Sequence, residues 1–397
     1  MYLERTRLLN PQLVRQAVEL HQTGAIPPGS YLLDVDTVRA NAEGLAVHAS
    51  GHGMRLFFMS KQIGHNGEAV DAIRAAGIDK TVAVDGRSAA LLADRHVPLG
   101  NVGHLSQIPA HQLPSILGHR PEFVTVFNAA QAARVSQVAA MSDQPVQVLL
   151  KVRPDGPPTF PGQEGGFYLE ELKEQLPRLT TLPGIGIQGV TAFPCTAYDV
   201  SGGFQATREL LALHSATRLV SDHIGEPAHV NAPGNSSTDT LDLLARYGCA
   251  TAEPGHALTG TGPQHAHGQG PERPALLYIS EVVQVDGATA VAFGGGLYRR
   301  GNLRHALVGT DHAIVDSPAL NVRLPAAEYI DYYFTIDVPR GRRIDVGDTV
   351  IAVLRPQMFV GYSRIAAITG LSTGSPALGP IRDSQGLVDH SWPATAG

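Results

Sequence analysis

The sequence predicts an α/β fold in which an N-terminal (β/α)8 TIM barrel is followed by a C-terminal all-β domain. From about residue 55 to residue 253, eight apolar runs alternate with helical stretches, and right-handed crossovers close that number of parallel strands into a barrel. The competing doubly wound open sheet is disfavoured because no glycine-rich dinucleotide turn follows the first run. After about residue 273, short alternating strands separated by Gly and Pro turns take over, which is typical of an all-β domain.

The elements of the barrel part can be assigned in chain order. A helical pattern over 11–21 ends near Gly24, and a strand over 30–36 leads into a helix from Thr37 to about Ala49. The predicted barrel strands are 55–61, 81–85, 101–106, 123–128, 146–153, 185–193, 226–232 and 249–253. The helices predicted between them are 67–76, 88–92, 129–140, 169–176, 203–219 and 237–247. The alternation places the carboxyl end of each strand at the barrel mouth, where α/β barrels carry out their chemistry.

The C-terminal part has the residue pattern of a separate β domain. Its predicted strands are 276–280, 288–293, 330–338, 349–354 and 364–369. A polar stretch over 261–273, rich in Gly and Pro, forms the hinge before it. We therefore expect a barrel domain over 28–265, and a β domain made of 1–27 and 273–397 that includes the N-terminal helix.

The composition indicates a compact protein and argues against several classes of function. The chain has 397 residues, of which 43% are hydrophobic and 17% charged, as expected for folded domains with apolar cores. A formal net charge of −6 and the lack of a basic run argue against nucleic-acid binding. There is no run of 18 or more apolar residues, so we expect no membrane insertion, and two cysteines suit a reducing cytoplasm. With no His/Cys pair at ligand spacing, we expect no metal site.

One lysine stands out from the four in the sequence, which also contains 26 arginines. Lys61 follows the apolar run 56–59, so it lies at the strand end where barrel chemistry takes place. A lysine held against apolar walls is easily deprotonated and becomes an amine nucleophile. Lys173 falls on a charged helix face and Lys80 precedes a strand, whereas Lys151 lies inside an apolar strand and is a second candidate for an inward-pointing charge. The alternative for Lys61 is a strand-end side chain that reaches solvent.

Four segments occur in an order and spacing that resemble a known enzyme family. They are Ser60–Gln62, Gln163–Phe167, Phe193–Cys195 and Glu253–Gly260. Together with the barrel and the β domain, they resemble the fold-type III pyridoxal-phosphate enzymes, which include the alanine racemases and the ornithine/diaminopimelate decarboxylases. Within that family the segments are most similar to the YhfX-like group of alanine-racemase-related proteins. The resemblance covers about residues 28–370 and implies an alanine racemase-like fold with pyridoxal 5′-phosphate as cofactor.

The resemblance assigns roles to two residues. Lys61 matches the lysine that forms a Schiff base with the cofactor aldehyde and, in racemases, also moves the Cα proton on one face. Glu253 matches the position that contacts the pyridine nitrogen, where alanine racemases carry arginine and the decarboxylases carry glutamate. A carboxylate there keeps the ring nitrogen protonated, so the cofactor becomes a stronger electron sink. The alternative for Glu253 is a helix-start carboxylate beside the helix dipole.

Two loops after the last two barrel strands are implied to bind the cofactor phosphate. Glycines permit close backbone approach, and N–H groups at a helix start favour an anion, although each loop by itself resembles an ordinary barrel turn. Phe193 lies where the family often has a histidine packed on the cofactor ring, so we expect either a stacking ring or barrel core. Besides Lys61 and Glu253, the implied cofactor-binding residues are Phe193, Gly234, Asn235, Ser236, Ser237, Gly255, His256, Ala257 and Tyr362.

The family builds the second half of its site from the β domain of a partner subunit. Tyr298 is a displaced candidate for the opposite-face tyrosine of racemases, and Asp331 matches a segment near substrate or is otherwise a solvated charge. An arginine of alanine racemases is replaced by a glutamine or glutamate here, which speaks against plain alanine racemase activity. The substrate-binding candidates are Arg355, Glu164 or Gln163, and His65, the last of which is otherwise a surface histidine.

These expectations combine into a cytoplasmic, homodimeric pyridoxal-phosphate enzyme that acts on an amino acid through an external aldimine, with active sites at the subunit interface. Racemisation by Cα-proton abstraction is the leading hypothesis. Decarboxylation is the alternative, and it is supported by Glu253. A D-amino-acid lyase or dehydratase is a third hypothesis, although those relatives bind zinc. A pyridoxal-phosphate-binding protein with little turnover is a fourth, which the long β domain disfavours.

Overall fold

The computed structural model describes residues 2–141, 145–295, 297, 301–357 and 363–392. The helices are α1 (Tyr2–Leu9), α2 (Pro11–Gln22), α3 (Val35–Gly51), α4 (Gly67–Ala75), α5 (Gly86–Asp94), α6 (Leu113–Gly118), α7 (Ala129–Ala139), α8 (Leu169–Leu179), α9 (Arg208–Ile224) and α10 (Thr238–Arg246). The strands are β1 (Ser30–Asp34), β2 (Arg55–Met59), β3 (Lys80–Ala83), β4 (Leu99–Val102), β5 (Phe123–Val126), β6 (Val146–Lys151), β7 (Ile185–Thr191), β8 (Thr196–Asp199), β9 (Gly203–Ala206), β10 (His229–Asn231), β11 (Thr251–Ala252), β12 (Leu276–Asp286), β13 (Thr289–Phe293), β14 (His305–Gly309), β15 (Leu320–Arg323), β16 (Tyr333–Asp337), β17 (Thr349–Ala352), β18 (Arg364–Thr369) and β19 (Ala377–Leu378).

One compact unit, made of residues 44–59 and 77–255, contains a closed barrel of eight parallel strands. The strands follow one another in the order β10-β11-β2-β3-β4-β5-β6-β7, so the last barrel strand, β11, closes onto the first, β2. Each of the eight predicted barrel strands overlaps one of these strands. The predicted fold class, a (β/α)8 barrel followed by a β domain, is therefore confirmed.

Close packing in the barrel explains why one strand carries glycine. A Cβ atom at Gly100 in β4 would lie 2.6 Å from ring atoms of Phe57 in β2, which is closer than a side chain can approach. Phe57 itself packs at 6.2 Å from Phe123, measured between ring centroids. The buried apolar cluster around them consists of Phe57, Met59, Val82, Val84, Phe123 and Leu149.

The predicted helix over 203–219 is wrong at its start. Strands β8 and β9 form an antiparallel hairpin there, and α9 begins only after it. The Asp199 carboxylate accepts hydrogen bonds from the backbone N–H groups of Ser201 (2.9 Å) and Gly202 (3.0 Å), which stabilises the turn against a helix. The helix then starts at its own cap, because the Thr207 hydroxyl accepts a hydrogen bond from a backbone N–H of the first turn.

The other compact unit, made of residues 1–43, 60–76 and 256–397, contains a nine-stranded sheet. The strand order is β13-β16-β15-β14-β17-β12-β1-β18-β19. Strand β1 pairs antiparallel with β12 and parallel with β18, so it lies inside this sheet although it precedes the barrel strands in the chain. Helix α2 packs on the sheet through apolar residues spaced three and four apart, and Asn10 caps its first turn.

The strands predicted after residue 273 are observed, with one change that concerns the site. Strand β16 begins at Tyr333, not at residue 330, so Asp331 precedes the strand. Strands β14 and β15 were not predicted, because each is only four or five residues long and carries polar residues such as His305 and Asn321. No helix within the described ranges is long and apolar enough to span a bilayer.

Candidate active-site residues

A buried carboxylate lies at the end of the last barrel strand. Glu253 follows β11, and its Oε1 atom accepts hydrogen bonds from the side-chain amides of Asn101 (3.1 Å) and Asn231 (2.7 Å). Its Oε2 atom lies 3.4 Å from Nε2 of His104, and both side chains are fully buried. An ionised carboxylate without donors would cost several kcal/mol to bury, so this donor set is what makes the position tenable for a charge.

Threonine hydroxyls fix the orientation of the two amides. Thr125 Oγ1 donates to Asn101 Oδ1 over 2.8 Å, and Thr251 Oγ1 donates to Asn231 Oδ1 over the same distance. Because a hydroxyl donor occupies each amide oxygen, the amide nitrogen is left to face the carboxylate. The four supporting residues lie on β4, β5, β10 and β11, so neighbouring strands hold Glu253 in a single orientation.

The loop after β10 has a backbone that approaches its neighbours closely. Gly234 has φ +112°, and a Cβ atom there would lie 3.1 Å from the backbone nitrogen of Cys195. Asn235 also has a left-handed backbone, with φ +52°, and its side-chain amide donates to Thr196 O at 3.0 Å. Ser236 Oγ accepts a hydrogen bond from the backbone N–H of the glutamate at 253, also at 3.0 Å, which ties this loop to the buried carboxylate.

Within the described part of the chain, the backbone N–H groups of Gly234, Asn235 and Ser236 have no protein acceptor. The next N–H, that of Ser237, donates to Thr240 Oγ1 at 2.8 Å as part of the α10 cap. Three successive N–H donors just before a helix start can bind an oxyanion. The implied phosphate-binding residues Asn235 and Ser236 fit that role, whereas the Ser237 N–H already has a partner.

A second buried charge lies in the same unit, at the end of β6. The Lys151 side chain is fully enclosed, and its Nζ lies 4.2 Å from the centroid of the Phe127 ring. Among the described residues, Nζ has no hydrogen-bond acceptor. Burial, helped by the nearby Arg153 guanidinium, lowers the pKa of Lys151 to about 8, while the carboxylates of Glu164 and Glu209 oppose that shift. Lys151 is therefore the inward-pointing lysine that its sequence position suggested.

Phe193 lies beyond the end of β7 and is half-buried, so it is not part of the barrel core. Its ring stands edge-on to His104, with centroids 5.6 Å apart, and lies 5.9 Å from Phe160. His104 thus bridges the carboxylate at 253 and an aromatic pair. This arrangement leaves Phe193 available as a wall for a planar ligand.

Glu164 is exposed, and it organises its own loop. One of its carboxylate oxygens accepts the backbone N–H of Gly162 at 2.8 Å, and this bond lowers the pKa of Glu164. Its backbone carbonyl accepts a hydrogen bond from Arg153, whose guanidinium also lies 4.5 Å from the Tyr168 ring centroid. The structure thus gives Glu164 a local role in shaping the loop; its predicted contact with substrate stays a prediction.

In the other unit, Lys61 lies in the 3-10 helix Ser60–Ile63, which follows β2 directly in the chain. Its turn is held by Ser60, whose hydroxyl is 2.8 Å from Nδ1 of His65 and whose carbonyl accepts the His65 N–H at 3.0 Å. His65 has φ +49° and is buried, so it is not the surface histidine of the alternative hypothesis. Asn66 caps α4 by accepting the N–H of Ala69 at 3.0 Å.

His256 begins the 3-10 helix that Ala257 continues, and it is enclosed by its surroundings. Burial, followed by the positive charges of Arg355 and Lys61, lowers the pKa of His256 well below its usual value. The Gln357 amide nitrogen lies 3.3 Å from His256 Nε2, and Thr261 Oγ1 lies 3.1 Å from Nδ1. The electrostatic influence of both cations on one imidazole indicates a positive environment around His256.

The remaining candidates lie in the C-terminal part of this unit. The backbone N–H of Arg355 bonds Gly301 O at 2.8 Å, and the side chain is half-buried. Asp331 lies in an irregular segment. Its backbone carbonyl comes so close to Gly294 that position 294 has no room for a side chain. Tyr298 and Tyr362, the predicted racemase tyrosine and phosphate ligand, lie outside the described residues.

Sequence reasoning missed the residues that hold Glu253. Asn101, His104 and Asn231 were not singled out, because each is a polar residue inside or just after a short apolar run. A usable signal was present: polar side chains at the carboxyl ends of several barrel strands converge at the mouth.

Comparison with known proteins identifies the class of the chain. Residues 33–263 match the family model described as "Alanine racemase, N-terminal domain", and residues 277–378 match "YhfX-like, C-terminal domain". The chain belongs to the alanine racemase-like family of fold-type III proteins, in its YhfX-like branch. It is 35% identical over 389 residues to "Uncharacterized protein YhfX" of Escherichia coli (strain K12). The aligned residues cover 97% of this chain and 99% of that protein. The predicted family resemblance is confirmed.

Solved structures share the fold at low sequence identity. An alanine racemase from Clostridium difficile 630 is 14% identical, with a TM-score of 0.63 over 89% of this chain and 98% of that one. A D-threonine aldolase from Filomicrobium marinum is 15% identical, with a TM-score of 0.68 over 91% and 95%. A diaminopimelate decarboxylase from M. jannaschi is 12% identical, with a TM-score of 0.67 over 95% of both chains. At these identities the likeness shows the fold alone.

Proposed function

We propose that the chain is a cytoplasmic pyridoxal-phosphate-dependent amino-acid racemase that breaks the Cα–H bond of its substrate. The observation that carries the cofactor assignment is the buried Glu253 carboxylate, held by the amides of Asn101 and Asn231 at 3.1 and 2.7 Å. The cofactor, when bound, draws electrons from Cα and lowers the barrier to losing a substituent there. The choice of racemisation rests on the alanine racemase family model that matches 33–263.

The residues present fit this cofactor by the chemistry of their groups. A carboxylate that two amides hold in place suits a protonated ring nitrogen, which is a cationic donor. The N–H groups at 234–236, which have no acceptor among the residues that the structure describes, suit a phosphate dianion, because backbone donors before a helix bind oxyanions. Phe193 offers an aromatic face and edge for a flat ring. A lysine, Lys61, occupies the family position for the covalent link.

Within this proposal, the side chains of the protein have distinct roles. Lys61 would hold the cofactor covalently, and its Nζ would take or return the Cα proton on one face of the substrate. Glu253 would favour a protonated ring nitrogen through its negative charge, and its two amide donors orient the carboxylate before any ligand binds. Phe193 would offer an aromatic wall for the ring. Arg355 would bind the substrate carboxylate by a bidentate contact.

Decarboxylation is the second candidate, and one observation favours it. Glutamate at the ring-nitrogen position is typical of the decarboxylases, whereas alanine racemases have arginine there. The hydrogen bonds from Asn101 and Asn231 make Glu253 a carboxylate whose orientation is defined, so this difference from alanine racemases is built into the barrel. The two activities differ only in which Cα bond is broken, and product analysis separates them.

We also propose that the protein works as a homodimer. The segment before β16 presents an exposed apolar run, in which Tyr329, Ile330 and Tyr332 are 66%, 70% and 63% exposed. Adjacent exposed apolar residues on a soluble surface mark an interaction site. A second copy of the chain is the occupant that the family implies, and Asp331 lies in the middle of this run.

Borohydride reduction followed by peptide mapping tests the assignment of Lys61. We expect one covalently modified lysine per chain, at position 61, and loss of both the label and the visible absorption of the cofactor in Lys61→Ala. Lys173→Ala, a change on an exposed helix face, is the matched control and should keep both. A label on Lys151 in the parent protein would show that the other buried amine carries the cofactor and would overturn the assignment.

Product analysis tests the reaction. Incubation with single enantiomers of a panel of amino acids in deuterium oxide should give the mirror-image amino acid carrying deuterium at Cα. Release of carbon dioxide with formation of an amine would instead establish the decarboxylase. Cofactor binding without either product would leave a binding protein and refute the proposed activity.

A further inference from the structure

Two histidines and an aspartate converge on one point on the outside of the barrel unit. His48 Nε2 lies 2.7 Å and His52 Nε2 lies 2.8 Å from the same oxygen, Oδ1 of Asp242. The ligand atoms of the three residues all lie within 4.8 Å of one another. Among the described residues, these three side chains form the group of His, Cys, Asp or Glu that is close enough to hold an ion.

We propose that His48, His52 and Asp242 form a binding site for a divalent transition metal, with zinc as the physiological candidate. His48 lies in the last turn of α3 and His52 is the first residue after the helix, and this spacing of four residues brings both imidazoles to the same side. Two imidazoles with one carboxylate are a ligand set that zinc accepts, with solvent completing the tetrahedron. Calcium and magnesium are disfavoured because they prefer all-oxygen ligands.

The two contacts between the imidazoles and Asp242 need only a small adjustment to suit zinc. Ligand bonds of about 2.0–2.1 Å place the ligand atoms of a tetrahedral site roughly 3.3 Å apart. Each Nε2–Oδ1 separation therefore has to widen by roughly half an ångström. The side chains are partly exposed, 34% for each histidine and 57% for the aspartate, so they can move by that distance without displacing the core.

Each imidazole can change from a hydrogen-bond donor into a metal ligand by moving or losing one proton. A neutral imidazole that donates Nε2–H to the carboxylate becomes a ligand when its proton moves to Nδ1, which frees the Nε2 lone pair. A protonated imidazole loses one proton to solvent instead. The metal then takes the place of the shared contact at Asp242, whose pKa the bonds from His48 and His52 already lower.

The location gives the proposed metal a mechanical effect. Helix α3 leads into β2 and α10 leads into β11, and these two strands pair at the point where the barrel closes, with Thr251 opposite Arg55. A metal at this site would cross-link side chains 194 and 190 residues apart in the chain. Without a metal, the cluster is a set of partly exposed hydrogen bonds, and exposed contacts of this kind contribute little to stability. Metal binding would therefore stabilise the closure of the barrel.

Calorimetric titration of the full-length protein with zinc sulfate tests the site. The protein is stripped with EDTA, and any polyhistidine tag is removed because it binds the same metals. We expect one zinc ion per chain, and a rise in the midpoint of thermal unfolding of roughly 5 °C at a hundredfold excess over the dissociation constant. His48→Ala and Asp242→Asn should each weaken binding at least tenfold, whereas His119→Ala, a change of an exposed histidine elsewhere, should not.

X-ray absorption on the zinc-loaded parent protein gives an independent readout that does not depend on any variant folding. Two imidazole nitrogens with oxygen ligands are expected. A zinc ion with sulfur ligands or with one imidazole, unchanged affinity in a folded His48→Ala variant, or no binding by the parent would each overturn the proposal. The prediction of no metal site did not take into account the i, i+4 spacing of His48 and His52, and Asp242 lies about 190 residues further along the chain.

Discussion

The amide of Asn231 donates to Oε1 of Glu253 over 2.7 Å, and this bond is the last step of a chain of hydrogen bonds. The Thr251 hydroxyl donates its only proton to Asn231 Oδ1, so its contact with Nε2 of His229 at 3.0 Å requires the histidine to be the donor. His229 therefore carries its proton on Nε2. The orientation of the candidate catalytic carboxylate therefore depends on Thr251 and His229, which do not contact it directly.

Replacing Glu253 with glutamine should reduce Cα proton exchange by about 10²- to 10⁴-fold. The amide cannot hold a proton on the cofactor ring, while the loop N–H groups and Lys61 remain, so cofactor affinity should fall far less. Deuterium incorporation at Cα, followed by mass spectrometry, measures the first effect, and cofactor titration measures the second. Glu226→Gln, which removes one exposed carboxylate, is the control for net charge. Equal exchange rates in Glu253→Gln and the parent would show that the carboxylate is structural.

The free energy of unfolding should fall in acid partly because of His229. Burial, together with the Arg55 charge, lowers the pKa of His229 to about 4. The unfolded chain, with a pKa near 6.5, then binds a proton that the folded protein refuses, so stability falls as the pH drops from about 6.5 towards 4. In His229→Phe, which keeps a ring against Phe123, this part of the pH dependence should disappear. Urea unfolding at several pH values measures the difference, and identical slopes in both proteins would refute it.

The buried Lys151 side chain should lower the free energy of unfolding at neutral pH. Its pKa is about 8 in the folded protein and about 10.5 unfolded, so the buried charge opposes folding fully below pH 8 and is relieved as the pH rises towards 10.5. Lys151→Met keeps the volume without the charge and should be more stable by about 1–3 kcal/mol at pH 7. The advantage of the variant should shrink between pH 8 and 10. A difference that does not change with pH would mean that Lys151 is charged and paired when folded.

A charge in the exposed run before β16 should dissociate the proposed dimer. Ile330→Glu places a carboxylate at a position that is 70% exposed in the single chain. The change should leave the stability of the monomer unaltered and oppose association only if a partner covers this position. Light scattering should report a monomer for this variant and a dimer for the parent, with catalytic activity lost in parallel. Val346→Glu, at an exposed apolar position elsewhere in the same unit, is the matched control. A dimeric Ile330→Glu protein would place the interface elsewhere.

The barrel was predictable because its strands are buried on both faces. A run such as Leu56–Met59 has no polar alternation, so it reads as a parallel strand even without its neighbours. The hairpin of β8 and β9 was not predictable in the same way, because its turn depends on the Asp199 side chain and its strands are four residues long. The helix predicted over 203–219 therefore includes β9, although the observed helix begins at Arg208.

The sequence predicts a residue of the candidate site only where that residue lies in a recognisable local motif. Lys61 and Glu253 occupy strand ends in family motifs, so the sequence alone indicates them. The amides that hold Glu253 come from positions 101 and 231, and no local pattern connects residues so far apart in the chain. Their pairing depends on the order in which barrel strands meet, which becomes visible only in three dimensions.

The shortest strand of the barrel determines where the barrel should open locally. Strand β11 is two residues long, and it alone separates β10 from β2. Opening at this seam breaks few hydrogen bonds, among them Ala232 N–H to Thr251 O at 2.9 Å and Ala250 N–H to Val230 O at 2.8 Å. Amide hydrogen exchange should therefore be faster here than in β6 and β7, whose ladder extends over six residue pairs. Glu253 follows β11 directly in the chain, so an edge that few hydrogen bonds hold closed lies beside the buried carboxylate.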